Sequence, residues 1–123
     1  MIISYRAGED VGRLESWPFT GAASDYVVTR GEPRASGRLD GGGPGFVWRA
    51  GIWRCTAGTF MCNELGDEMQ TVLSGRVRLT LPDGSSHEFT AGDTLFTRRG
   101  DRVTWDVIED VTKAFFTINP DGF

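Results

Sequence analysis

The chain has 123 residues, 39% hydrophobic and 24% charged, with 13 Lys and Arg against 17 Asp and Glu and a formal net charge of −4. One domain of this size buries roughly two thirds of the surface its unfolded chain exposes. An acidic chain with scattered arginines argues against nucleic-acid binding. No apolar run approaches the roughly 20 residues a membrane-spanning helix needs, and the expected ligand-bearing partner is a small molecule.

The first residues, MIISYRAGEDVGR, show no basic start, apolar centre or small-residue cleavage site, so the expected location is cytoplasmic. Glu9 to Trp17 permits one poor helical turn, interrupted by Gly12 and stopped by Pro18. Tyr26 to Thr29 reads as a short strand. Gly31 to Gly45 (GEPRASGRLDGGGPG) reads as a long loop, because its glycines and prolines hold no periodic face. Phe46 to Cys55 is a long strand that Gly51 bends or bulges. Thr56 to Thr59 is a hairpin turn, Phe60 to Glu64 a strand, and Leu65-Gly66-Asp67 a tight connection into a strand over Glu68–Ser74.

From there the chain is punctuated by turn signals at Leu73-Ser74-Gly75, Pro82-Asp83-Gly84 and Ala91-Gly92-Asp93. Val77, Leu79 and Leu81 alternate with Arg76, Arg78 and Thr80, which predicts a strand whose odd-numbered residues face a core. Strands over Ser86–Thr90, Thr94–Arg98, Val103–Ile108 and Val111–Asn119 complete a count of about nine to eleven, with almost no helix. A sheet of that size must curl to bury one face, so the expected fold is all-β, a single-domain antiparallel jelly-roll β-barrel. Residues 46–119 form its core, and residues 1–45 are an N-terminal extension and loop packing on it. Cys55 and Cys62 flank the hairpin turn at a diagonal separation of roughly 7–8 Å, long for a disulfide, so two free thiols are expected.

Four segments carry a resemblance: GIWRCTAGTF (51–60), Glu68 followed by VLSG (72–75), AGDTLF (91–96) and RVTWDV (102–107). In this order and spacing the chain resembles the cupin superfamily, and more narrowly the small single-domain cupins related to the ureidoglycine aminohydrolase barrel. The resemblance implies a metal held inside the barrel by histidines and a glutamate. Laid on this sequence, the two leading histidine positions fall on Cys62 and Glu64, the glutamate on Glu68 and the last histidine on Val103, with Arg98 in place of a proline. The aminohydrolase ligand pattern fares no better, since Cys62, Glu64 and Glu68 replace all three of its leading ligands. The chain's one histidine, His87, lies outside both motifs. A soft thiolate with hard carboxylates suits no common ion, so no metal or other cofactor is expected.

The same register places Glu64 and Glu68 in the barrel mouth. Two neighbouring carboxylates in an apolar pocket cannot both ionise cheaply, and one becomes a candidate general acid or base near neutral pH. The bland alternative has them solvated or paired with Arg98 or Arg102. Cys62, Gln70, Arg98 and Trp105 are the remaining candidates for the pocket. Cys62 has no histidine to activate it and also reads as a small buried apolar residue. Gln70 shares the inward face of Glu68, and Trp105 belongs to the core or the pocket wall. The run Arg98–Arg102 is either a solvated turn or an anion clamp. Unless one of its arginines turns inward, two carboxylates suit a neutral or cationic polar ligand.

Three functions fit: a metal-free barrel binding a small polar metabolite, an enzyme using Glu64 and Glu68 as acid and base on a ureido-like or sugar-like substrate, or a structural or partner-binding barrel without a ligand. Ile2, Ile3, Tyr5, Trp17, Phe19, Tyr26 and Val27 lack a core of their own. The resemblance implies a homodimer built through N-terminal strands.

Overall fold

The computed structural model describes all 123 residues and contains nine strands and no helix. In chain order these are β1 (Glu15–Ser16), β2 (Val27–Arg30), β3 (Ala35–Gly42), β4 (Trp48–Cys55), β5 (Gly58–Asn63), β6 (Asp67–Thr80), β7 (Ser86–Thr90), β8 (Thr94–Thr97) and β9 (Arg102–Ile118). All pairings are antiparallel, within one curled sheet ordered β1-β3-β4-β9-β5-β2, with β6 bridging β9 to β7 and β8.

Two long strands organise the barrel. Along one edge β9 pairs first with β5, from Arg102 to Val107, and then with β4, from Val111 to Ile118. Its other edge runs the length of β6, from Asp67 opposite Ile118 to Thr80 opposite Thr104. The turn expected at Leu73-Ser74-Gly75 is therefore a bulge inside one strand, and the two strands expected over Val103–Asn119 are one. At the bulge Asp110 and Val111 both lie opposite Gly75, whose φ is +83°. A Cβ at Gly75 would stand 2.0 Å from the Asp110 carbonyl oxygen, so only glycine lets the strands close there. A separate register shift between Val72 and Ser74, where Leu73 is an extra residue on β6, changes the strand's parity. Even-numbered Gln70 and Val72 before it, and odd-numbered Val77 and Leu79 after it, all end up inside.

The core follows from that alternation. Cys55, Phe60, Val72, Val77, Val103, Val107 and Val111 are each no more than 2% exposed, and Phe60 stacks on Trp105 with ring centroids 6.2 Å apart. Both cysteines are buried and unpaired, as expected. Leu81 is not inside: at 38% exposure it lies beyond the end of β6, in the turn where its N–H and C=O bond Ser85 and Gly84. A smaller cluster, Ile52, Leu73 and Ala114, lies on the outer face and is covered by Val11 and Leu14.

The N-terminal region departs most from expectation. No helical turn forms over Glu9–Trp17; Glu15 and Ser16 instead pair with Gly37 and Ser36. Within the stretch expected to be loop, Ala35–Gly42 is a strand paired with β4, with one register shift between Leu39 and Gly41. Its glycines are there for close approach: a Cβ at Gly37 would lie 2.3 Å from the Trp17 ring. Trp17 thus packs against β3 at Gly37, and the chain that follows it, to Thr20, forms a wall over one end of the barrel.

Candidate functional site

At that end a cavity of about 480 Å³ opens, large enough for a metabolite. Its polar groups come from inward positions on three neighbouring strands. On β6 it is Glu68, with Gln70 just beneath the floor; on β9, Lys113 and Thr117; on β4, Arg49, four residues before the aromatic Trp53 and in phase with it. Glu64 enters from the β5–β6 connection. Its backbone is pinned on both sides, its N–H to the Asp101 carbonyl at 2.9 Å and its C=O to the Gly100 N–H at 2.8 Å.

Lys113 is the centre of the site. Its ammonium donates to Gln70 Oε1 at 2.6 Å and Glu68 Oε2 at 3.0 Å. It lies 4.7 Å from the Trp53 ring centroid and 4.5 Å from that of Trp105. Gln70 is fully buried and passes its own N–H to Thr97 Oγ1 at 3.0 Å. The side chains of Lys113 and Glu68 are only 8% and 13% exposed. A charge this buried is tolerated because a carboxylate, an amide oxygen and two indole faces together replace its water.

Trp105 couples this cluster to Glu64: one face of its ring meets Lys113, while its Nε1–H donates to Glu64 Oε1 at 3.0 Å. The Glu64 carboxyl is pushed up to about 7, first by burial and then by the charge of Glu68, against the opposing pull of Lys113 and the Trp105 N–H. Glu64 therefore exchanges a proton near neutral pH. The Cys62 thiol, also on the cavity wall, is pushed up to about 12 by burial and by Glu64, so it stays a neutral thiol.

The structure brings Cys62, Glu64, Glu68 and Trp105 to the cavity and puts Gln70 just beneath its floor. It does not bring Arg98, which is exposed and lies in the turn where its N–H bonds the Asp101 carboxylate. Arg102 is also turned away, donating to the Asp25 carbonyl at 2.8 Å and the Asn63 side chain at 3.3 Å. Neither arginine pairs with Glu64 or Glu68. Lys113 and Arg49 hold the positive charge instead, and the sequence reading missed both. Signals for them existed. Lys113 is the chain's only lysine, in phase with Val111 and Phe115, and Arg49 is in phase with Trp53 and Cys55.

These residues do not fit a resident transition metal. Val103, at the last histidine position, is fully buried in the core. Glu68 holds the Lys113 ammonium, so a divalent ion on its carboxylate would stand within a few ångströms of a fixed positive charge. No three His, Cys, Asp or Glu side chains are grouped to hold an ion.

A family model described as the EutQ-like cupin domain matches residues 42–115. No curated protein matches the chain. Among solved structures it is similar to EutQ of Clostridium difficile, with 16% identity and a TM-score of 0.62 over 72% of this chain and 71% of that one. The ethanolamine utilization protein Q of Salmonella typhimurium aligns at 16% identity and a TM-score of 0.60, over 86% of this chain and 95% of that one. A protein of unknown function from Pseudomonas syringae pv. tomato aligns at 21% identity and a TM-score of 0.70, over 86% of this chain and 44% of that one.

Two outcomes follow from the site. Lys113→Met strands a buried carboxylate and amide, so it should cost about 3–5 kcal/mol in urea unfolding; adding Glu68→Leu should recover part of the loss. A single variant as stable as the parent would show that the ion pair does not hold this end of the barrel. The second concerns pH. The folded-state value for Glu64, about 7, lies above its ordinary 4.5, so the folded chain retains this proton longer than the unfolded one. The contribution to stability is full below about pH 4.5 and is lost as pH rises through 7. Glu64→Gln mimics the protonated form. Its melting temperature should match the parent's in acid and gain on it across that window; parallel curves would place the titration elsewhere.

Proposed function

The chain belongs to the family of EutQ-like cupin domains, and from that membership we propose that it is a metal-independent barrel binding a small polar metabolite in the cavity beneath residues 16–20. One observation carries the reading: Glu64, Glu68, Lys113 and Arg49 converge on an open cavity of about 480 Å³ walled by Trp53, Phe60 and Trp105. A purely structural barrel would fill that space with side chains, because interiors are close-packed. Here a few polar groups meet a mainly apolar wall, the usual make-up of a small-ligand site. The buried Lys113–Glu68 pair orients the floor, and Glu64 supplies a proton donor or acceptor at the ligand.

An acid–base enzyme is the second reading, and the carboxyl of Glu64, poised at about 7, favours it. In it Glu64 moves a proton on a ureido-like or sugar-like substrate while Glu68 stays engaged with Lys113. Both readings are tested by a thermal-shift screen of polar metabolites, with and without chelator, followed by NMR of each stabilising compound for product. The expected result is stabilisation that chelator leaves unchanged and that Glu64→Gln weakens. Stabilisation only with a divalent ion would overturn metal independence, and turnover would promote the enzyme reading. The screen includes ethanolamine because of the relatives' name, although a likeness at 16% identity supports the fold alone.

We propose in addition that the barrel pairs with a second copy through its outer face. Phe116, Met69 and Phe96 align across β9, β6 and β8 at 45%, 57% and 56% exposure. Trp48 stacks on Phe116 at 5.7 Å and extends the patch, and Met1 to Ile3 are exposed as well. An apolar row across neighbouring strands is costly in water, and a two-fold partner covers it with its own equivalent row. Light scattering should give about twice the 13.5 kDa chain mass, and Phe116→Glu should restore the monomer. A monomeric parent protein at high micromolar concentration would refute the pairing.

A further inference from the structure

Arg49 is the one charged group of the cavity that the protein leaves unanswered. It lies on β4 with its side chain on the cavity wall, half-buried, and it makes no hydrogen bond or ion pair to the protein; its Nε is buried without any partner. Its guanidinium carbon rests 4.2 Å from the ring centroid of Phe123, which holds its plane without satisfying its donors. Every other arginine either forms an ion pair or, as with Arg13, Arg34 and Arg98, is exposed to water. The carboxylate whose field favours the Arg49 charge is Glu68, and Glu68 is already engaged by Lys113. A buried Nε–H without a partner is costly, and an oxyanion in the cavity would take it together with the guanidinium's other donors.

We propose that Arg49 is the anion anchor of the cavity, and that the ligand is a small monocarboxylate with a hydroxyl or amide group at its other end. This rests on the reading of the cavity as a metabolite site. A planar guanidinium presents paired N–H donors that match a carboxylate's two oxygens. With Lys113 and Glu68 neutralising each other and Glu64 carrying its proton, one unpaired positive charge remains, which balances a monoanion and not a phosphate dianion. Glu64 faces the same space: ionised, it accepts a hydrogen bond from a hydroxyl or amide, and protonated, it donates one. The indole and phenyl rings between the two ends suit a short carbon stem. The sequence pointed to a neutral or cationic ligand unless Arg98 or Arg102 turned inward; neither does, and the positive charge comes instead from Arg49, which that expectation did not include.

The test uses the full ¹⁵N-labelled chain, reading the Arg49 Nε–H and Trp105 Nε1–H signals during titration with glycolate, lactate, glycolamide, propane-1,2-diol and inorganic phosphate. Glycolate and lactate should shift both signals. Arg49→Gln should weaken them roughly ten- to a hundredfold, the range for losing hydrogen bonds to a charged group. Arg49→Lys, which keeps the charge without the fork, should fall between, and it keeps the test decisive if Arg49→Gln does not fold. Glycolamide and the diol should bind the parent as weakly as glycolate binds Arg49→Gln. Equal affinity for glycolate and glycolamide, or unchanged affinity in both variants, overturns the anchor and leaves the metabolite site standing. Tighter binding of phosphate overturns the carboxylate class. No shift with any probe at saturating millimolar concentration overturns the anchor and counts against the metabolite site as well.

Discussion

One buried ammonium governs this end of the barrel. Lys113 sits where β4, β6 and β9 come together, and it engages Glu68, Gln70 and two tryptophan rings at once. Each of these partners is itself committed. Gln70 holds Thr97, Trp105 holds Glu64, and Trp53 packs on Trp105 at 5.7 Å. Removing water from such a cluster costs several kcal/mol per charge, and complete hydrogen bonding is what offsets it. Such a network has few alternative geometries, so the positions of Glu64, Glu68 and Trp105 are fixed together.

The same ammonium explains how this cupin barrel keeps carboxylates in its interior with no histidine among them. A metal centre organises carboxylates by sitting among them as a positive charge. Here a lysine on β9 supplies that positive charge to Glu68 from within the chain. The groups of the chain itself offer proton exchange and hydrogen bonding. The elevation of Glu64 to about 7 fits that repertoire, since burial and a neighbouring carboxylate raise it while Lys113 and the indole N–H restrain it.

The barrel was legible from period-two alternation, and Val77, Leu79, Val103 and Trp105 all face the interior. Alternation failed where a strand is irregular. Gly75 looked like a turn because turns and bulges demand the same left-handed φ, and only the partner strand decides between them. The glycines of β3 looked like loop because their use, making room for Trp17 and for a close backbone, depends on residues distant in sequence. Glu64 and Glu68 reached the site through the family spacing. Arg98 did not, since a charged turn carries no signal of direction. Lys113 and Arg49 were hidden by habit: charged residues on strands are ordinarily assigned to the wet face, and only the phase with Val111 and Cys55 would have turned them inward.

Because β9 is hydrogen-bonded along both edges for nearly its whole length, its amides can open only when the barrel itself opens. Lys113 therefore stands on a strand whose exchange with solvent deuterium tracks global unfolding, while Glu64 stands on a connection secured by single bonds to Gly100 and Asp101. The floor of the cavity is already ordered before any ligand arrives. In the proposed binding, the entropy of capture falls on the short segment carrying Glu64 and on residues 16–20, where small backbone adjustments are cheapest.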